Sequence, residues 1–131
     1  MENRQILKQT MLDKKVWAVV GATAKKEKYG YKVWKKLEEH GYEVYPINPN
    51  YKEIDGKKCY ESLKDLPIKP DVINFIIPPN AILDILPIAK EIGVEYLWCQ
   101  PGAANEEVVL KAESLGFNIG YNICVLVELG E

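Results

Sequence analysis

The chain is short of the residues that carry out chemistry. Among its 131 residues there is one histidine, His40, and three cysteines, Cys59, Cys99 and Cys124. The cysteines are odd in number, far apart and without metal-ligand spacing. They argue against a disulfide framework and read as free buried thiols of a reducing compartment. No apolar run approaches the roughly 18 residues that span a bilayer, and the opening MENRQILKQTMLDKK lacks the apolar centre of a signal peptide. The expected setting is the cytoplasm, without a membrane. Basic residues nearly vanish from the second half. Residues 1–69 hold 15 of the 17 Lys and Arg against 10 acids, a net +5, and the rest hold 2 against 9, a net −7. An anionic ligand is therefore less repelled by the first half, while the overall charge of −2 argues against nucleic acid.

What is present alternates. Short apolar runs, bounded by Gly, Pro, Asn or Asp, lie at Val16–Val20, Glu43–Ile47, Val72–Ile77, Tyr96–Cys99 and Asn118–Tyr121. Helical spacing fills the intervals: Tyr29, Val33 and Leu37 with Gly30 and Trp34 beside them, then Ala81–Ile92 and Glu106–Leu115. Gly41, Gly93 and Gly116 stand where carboxyl-terminal caps belong, and Asn105 where an amino-terminal cap does. Pro87 is expected to kink or split its helix. The amphipathic stretch Ile6–Leu12 is expected to pack over one edge. At 47% hydrophobic, the chain suits one packed core. The expectation is a single domain over residues 1–131, with 1–15 as a helical extension. Its fold class is α/β, a doubly wound Rossmann-type sheet of about five parallel strands with helices on both faces.

Ligands of such sheets bind beyond the carboxyl ends of the strands, which singles out four loops. In VVGATAKKEKYG, Gly21 permits a tight turn and close approach to a phosphate, and Thr23 adds a hydroxyl. Lys25, Lys26 and Lys28 add cations, and a helix starts near Tyr29. The second and third glycines of a dinucleotide fingerprint are absent, and an ordinary solvated connection would look the same. The second loop, INPNYKE, offers Asn48, Pro49, Tyr51 and Lys52 in place of the carboxylate that would hold the ribose of NAD. Ile77, Pro78, Pro79 and Ile82 either wall an apolar site or merely end a strand and start a helix. In the last loop Gln100 is a two-way hydrogen-bonding group and Gly102 a point of close approach, while Trp98 reads as core.

GAT near the start, YGYKVWKKLEEHGYEVYPINPNY, IDGKKCYESLKDLP, the PP pair, and WCQPGA followed by a late cysteine and glutamate together resemble the CoA-binding domain family. Its members are similar to the amino-terminal domain of the succinyl-CoA synthetase α subunit. The resemblance runs from about Val16 to Glu128. It implies coenzyme A as ligand, with Gly21, Ala22 and Thr23 at the phosphates and Lys25 nearby. It places Asn48, Pro49 and Lys52 around the adenosine 3′-phosphate, Ile77, Pro78 and Pro79 along the adenine and pantetheine, and Gln100 and Gly102 at the far loop. Ala24-Lys25-Lys26 stands where the synthetases keep a second glycine.

No nucleophile with a partner base, carboxylate pair or metal spacing is evident. His40 reads as a helix-end surface residue, Ser62 and Ser114 as remote from the strand ends, and Cys124 as a small core residue. The expected activity is binding of coenzyme A or an acyl-CoA without catalysis, as carrier, sensor or regulatory module. One alternative is the CoA-binding component of a multi-chain acyl-CoA synthetase, and a weaker one an NAD(P)-binding regulatory domain. A protein partner or a homo-oligomer is compatible with either.

Overall fold

All five apolar runs become strands of one sheet. In the computed structural model, which describes residues 2–130, the chain runs α1 (Glu2–Leu12), β1 (Val16–Val20), α2 (Tyr29–Glu39) and β2 (Glu43–Ile47). It continues through a hairpin of β3 (Glu53–Ile54) and β4 (Lys57–Lys58), a 3₁₀ turn (Leu63–Asp65), β5 (Val72–Phe75) and α3 (Pro79–Ile92). The chain closes with β6 (Tyr96–Cys99), α4 (Glu106–Ser114), β7 (Asn118–Tyr121) and α5 (Val125–Leu129). Met1 and Glu131, the ends of the expected domain, lie outside the described residues.

The sheet order is β2-β1-β5-β6-β7 with every pair parallel. After β2 the chain returns to the other side of β1, so the order reverses between β1 and β5. That crevice is where a Rossmann-type sheet takes its ligand. Side chains alternate along each strand, so Trp17 and Val19 face a core with α1, α2 and α5, while Ala18 and Val20 face one with α3 and α4. Burial on both faces explains why β5 is apolar at three of its four positions.

Helix α2 buries Gly30, Val33, Trp34 and Leu37, the i, i+3, i+4, i+7 stripe of an amphipathic helix. Asn105 Oδ1 accepts from the Val108 N–H at 2.9 Å, and Gly41, Gly93 and Gly116 all have positive φ at helix ends. Helix α1 covers the edge strand β7: Met11 is fully buried, and Arg4 Nη2 donates to the Tyr121 carbonyl at 3.0 Å, occupying an acceptor that an edge otherwise leaves open.

Three details depart from the sequence expectation. Strand β5 stops at Phe75 rather than Ile77, because Ile76 and Ile77 already turn toward α3, although the Ile76 N–H still reaches the Val20 carbonyl at 2.9 Å. Pro87 does not split α3, which is continuous from Pro79. Pro87 is exposed, so the carbonyl it leaves unpaired, four residues back, can bond water. The β3–β4 hairpin was not anticipated. Its Asp55-Gly56 turn has φ of 51° and 77°, the paired left-handed residues of a type I′ turn, for which Asp-Gly is a strong signal.

Candidate functional site

Gly21 ends β1 with φ +103°, its N–H donating to the Ile47 carbonyl at 3.1 Å. A Cβ there would lie 2.9 Å from the Ile76 carbonyl oxygen, so the turn is built for glycine. Gly30, in the first turn of α2, is tighter still. Its Cβ would sit 2.2 Å from the Gly21 carbonyl oxygen. Close helix-on-strand packing is the job of the third glycine in a dinucleotide fingerprint. That glycine is present here, displaced to Gly30 by a longer loop.

The loop between them is bolted to the end of β2. Asn48 Nδ2 donates to the Ala22 carbonyl at 2.8 Å, and Asn48 Oδ1 accepts from the Asn50 N–H at 2.9 Å. The hydroxyls of Thr23 and Tyr51 are 2.8 Å apart, and the Lys25 N–H donates to Thr23 Oγ1. Whichever hydroxyl donates in that pair, the other keeps its hydrogen, so one O–H remains free to meet an acceptor.

Two clefts flank this junction. The first, of about 400 Å³, has apolar walls from Val20, Ile47, Leu63, Ile77, Ile85 and Ile88, with Asn48, Asn50, Glu61 and Ser62 as its polar groups. The second, of about 430 Å³, lies over the start of α2 and is lined by Thr23, Lys25, Lys28, Tyr29, Gly30 and Tyr51. They share Gly21, Asn48 and Asn50. Lys25 and Lys28 are exposed, and among the described residues neither is held in an ion pair.

The family described as CoA binding domain matches residues 15–130. The chain belongs to that family. An uncharacterised Bacillus subtilis protein, YneT, is 26% identical over 92% of this chain and 90% of its own length. A solved conserved hypothetical protein from Pyrococcus furiosus is 43% identical, covering 87% of this chain and 98% of that one with a TM-score of 0.83. The alpha subunit of the ADP-forming acetate–CoA ligase II of Pyrococcus furiosus is 37% identical over 60% of this chain, which spans 17% of that subunit.

Within this CoA binding domain the structure gathers Gly21, Thr23, Lys25, Tyr29, Asn48, Pro49, Tyr51 and Ile77 around the two clefts. Ala22 is fully buried and contributes its carbonyl. Lys52, exposed, follows Tyr51 at the rim without lining either cleft. Pro78 caps α3 and Pro79 is its first residue, so the pair starts a helix and the wall is made by Ile77. Ile82 is fully buried in the α3 core and presents no surface. Gln100 is only 4% exposed, its carboxamide spent inside the protein on Asn74, Trp98, Cys124 and Val125. Gly102 stands in an exposed turn beyond β6 and lines neither cleft.

Ser62 corrects the sequence reading: parallel bridging between Ile47 and Tyr60 returns the chain to β2, which puts Ser62 in the apolar cleft. Its Oγ accepts from the Lys64 N–H at 3.2 Å. Glu61, Leu63, Ile85 and Ile88 were not singled out in the sequence. Ile85 and Ile88 continue the apolar face of α3 past its buried core, and that excess width was their only signal. His40 closes α2, with Nδ1 3.0 Å from the Lys36 carbonyl oxygen.

The thiols separate by environment. Burial pushes the Cys99 thiol up to about 12 and raises that of Cys59, whereas Cys124 is only half-buried at the start of α5, where its Sγ meets Gln100 Nε2 at 3.3 Å. Cys124 is thus a packing residue at the surface of the core rather than inside it. Titration of the native protein with a thiol reagent near pH 8 is expected to label one cysteine, Cys124, rapidly, and denaturant to release the other two. Rapid native labelling of Cys99 would contradict this burial.

Proposed function

We propose that this CoA binding domain holds coenzyme A or an acyl-CoA at the carboxyl ends of β1, β2 and β5, and binds it without reacting it. The observation that carries the reading is the junction at Gly21 and Asn48 of an apolar cleft with a cationic one. A ligand filling both must join an apolar or aromatic body to several negative charges. Coenzyme A does so, with its purine, its pantetheine arm and three phosphates. The free hydroxyl of the Thr23–Tyr51 pair, Lys25, Lys28 and the start of α2 suit the phosphates, and Ile47, Leu63 and Ile77 suit the purine. NAD is less well served, because the end of β2 offers Asn48, Pro49 and Asn50 where a ribose-binding carboxylate would stand. Neither cleft is lined by histidine or cysteine, and its one serine hydroxyl already caps the 3₁₀ turn.

Thermal unfolding with coenzyme A, dephospho-CoA, NAD and NADP tests this. At a hundredfold excess over Kd, coenzyme A is expected to stabilise by about 2.7 kcal/mol, a Tm rise of roughly 8–12 °C for a domain of this size. A clear shift with NAD and none with coenzyme A would overturn the reading. Within the same panel, Lys52→Glu is expected to weaken coenzyme A several-fold more than dephospho-CoA, since reversing one rim charge costs about 1 kcal/mol. Equal losses would remove Lys52 from the 3′-phosphate.

The likeness to a ligase alpha subunit favours a second reading, in which this chain is the CoA-binding component of a multi-chain ligase. CoA ligation that appears only on mixing with a co-purifying chain would support it. Ligation by the isolated chain would contradict both readings.

A further inference from the structure

We infer that the basic outer face of α2 docks on the acidic outer face of α4 of a second copy of this chain, joining copies front to back. The inference is independent of the ligand reading, because it uses lysines outside both clefts. Lys26, Lys32, Lys35 and Lys36, with Glu39 as the single acid, line a shallow depression of about 330 Å³ floored in part by Tyr31 and Leu126, which leaves the face net positive. Lys35 is paired with Glu38, but among the described residues Lys26, Lys32 and Lys36 are held in no ion pair. Beside Leu126, Val127 is 73% exposed on α5, which packs against α2. A cation cluster around exposed apolar surface is the pattern of a contact that expects an acidic, partly apolar partner.

The same chain carries that partner surface. On α4, Glu106, Leu110 and Glu113 fall at i, i+4 and i+7, one stripe of the helix, with Leu110 59% exposed and both acids exposed. On α2, Lys32 and Lys36 are four residues, about 6 Å, apart, and on α4 Glu106 and Glu113 are seven residues, about 10 Å, apart, a difference that the long lysine side chains can span. Glu107 adds to the acidic side and Lys111 subtracts from it, leaving it negative. A net charge of −2 opposes self-association only weakly. The two faces lie on opposite sides of the sheet, since α2 packs in one core and α4 in the other. Contact between them is therefore heterologous, each copy offering a different face to each neighbour.

Light scattering after size exclusion, at low and high salt, tests this. At about 20 mM salt the mean mass is expected to exceed that of one chain and to rise with concentration. At about 500 mM it should fall to the monomer, as screening shortens to a few ångströms. Lys32→Glu with Lys36→Glu should be monomeric at low salt, and so should Glu106→Lys with Glu113→Lys, each first shown folded by circular dichroism. Mixed one to one, the two charge-reversed proteins should associate again, because each reversed face meets its complement. A monomer at every salt and concentration, association that grows with salt, or a mixture that stays monomeric would overturn the inference.

Discussion

Gly30→Ala is expected to destabilise the protein by about 2–3 kcal/mol, lowering Tm by roughly 10 °C. The direction opposes helix propensity, by which glycine to alanine within a helix gains up to about 1 kcal/mol. Packing decides it. The new Cβ would stand 2.2 Å from the Gly21 carbonyl oxygen and 3.1 Å from Thr23 Cγ2. Both neighbours are tied down: Gly21 by its bond to Ile47, Thr23 by Tyr51. Relief requires α2 to lift from the end of β1, which strains the burial of Val33, Trp34 and Leu37 on the same helix face. Lys32→Ala, exposed on the opposite face, should change stability by less than about 0.5 kcal/mol. Equilibrium denaturation of both variants checks the pair, and a Gly30→Ala protein as stable as the parent would mean that the close approach is not structural. Under the proposed function the same variant also loses coenzyme A binding, because Thr23 moves with the loop.

The helix-on-strand contact shows where the sequence stops being legible. The five strands were readable because Gly, Pro, Asn and Asp punctuate runs that bury both faces, and α2 because Gly30, Val33, Trp34 and Leu37 keep a 3.6-residue period. Local pattern is enough for such elements. That Gly30 completes a fingerprint begun at Gly21 was not readable, since the pairing depends on how far the intervening loop bows out. The Asp55-Gly56 hairpin has strands of two residues each, too short for alternation to register. Ser62 reaches the cleft through two backbone bonds, Asn48 N–H to the Tyr60 carbonyl and Tyr60 N–H to the Pro46 carbonyl, that no composition announces. The loops at β1 and β2 were picked out because such sheets take ligands beyond the strand ends where the order reverses, and the structure brings residues of both loops around the two clefts. Gln100 illustrates the opposite case, a polar side chain at a strand end whose surroundings assign it to the core.

Gln100→Leu is expected to cost about 3 kcal/mol, as two buried donors lose their acceptor. Gln100 Oε1 accepts from Asn74 Nδ2 at 3.2 Å, Trp98 Nε1 at 3.0 Å and the Val125 N–H at 3.0 Å. Trp98 keeps a second acceptor, the Ile123 carbonyl at 3.0 Å, and so survives the change. Asn74 and the Val125 N–H do not. Asn74 Oδ1 already lacks a partner among the described residues, so the variant leaves that fully buried carboxamide without a side-chain bond, at about 1–3 kcal/mol for each stranded group. Losing the Val125 bond also frees the start of α5, the helix that packs on α2. Adding Asn74→Leu should recover part of the loss, because removing both partners of a buried hydrogen bond costs less than stranding one, and a double-mutant cycle reads that coupling directly. If Gln100 serves only this network, the variant that remains folded at low temperature binds coenzyme A as the parent does. An affinity loss exceeding what its unfolded fraction explains would return Gln100 to the ligand site, and losses of the two single variants that simply add in the double would show that Asn74 and Gln100 are not coupled.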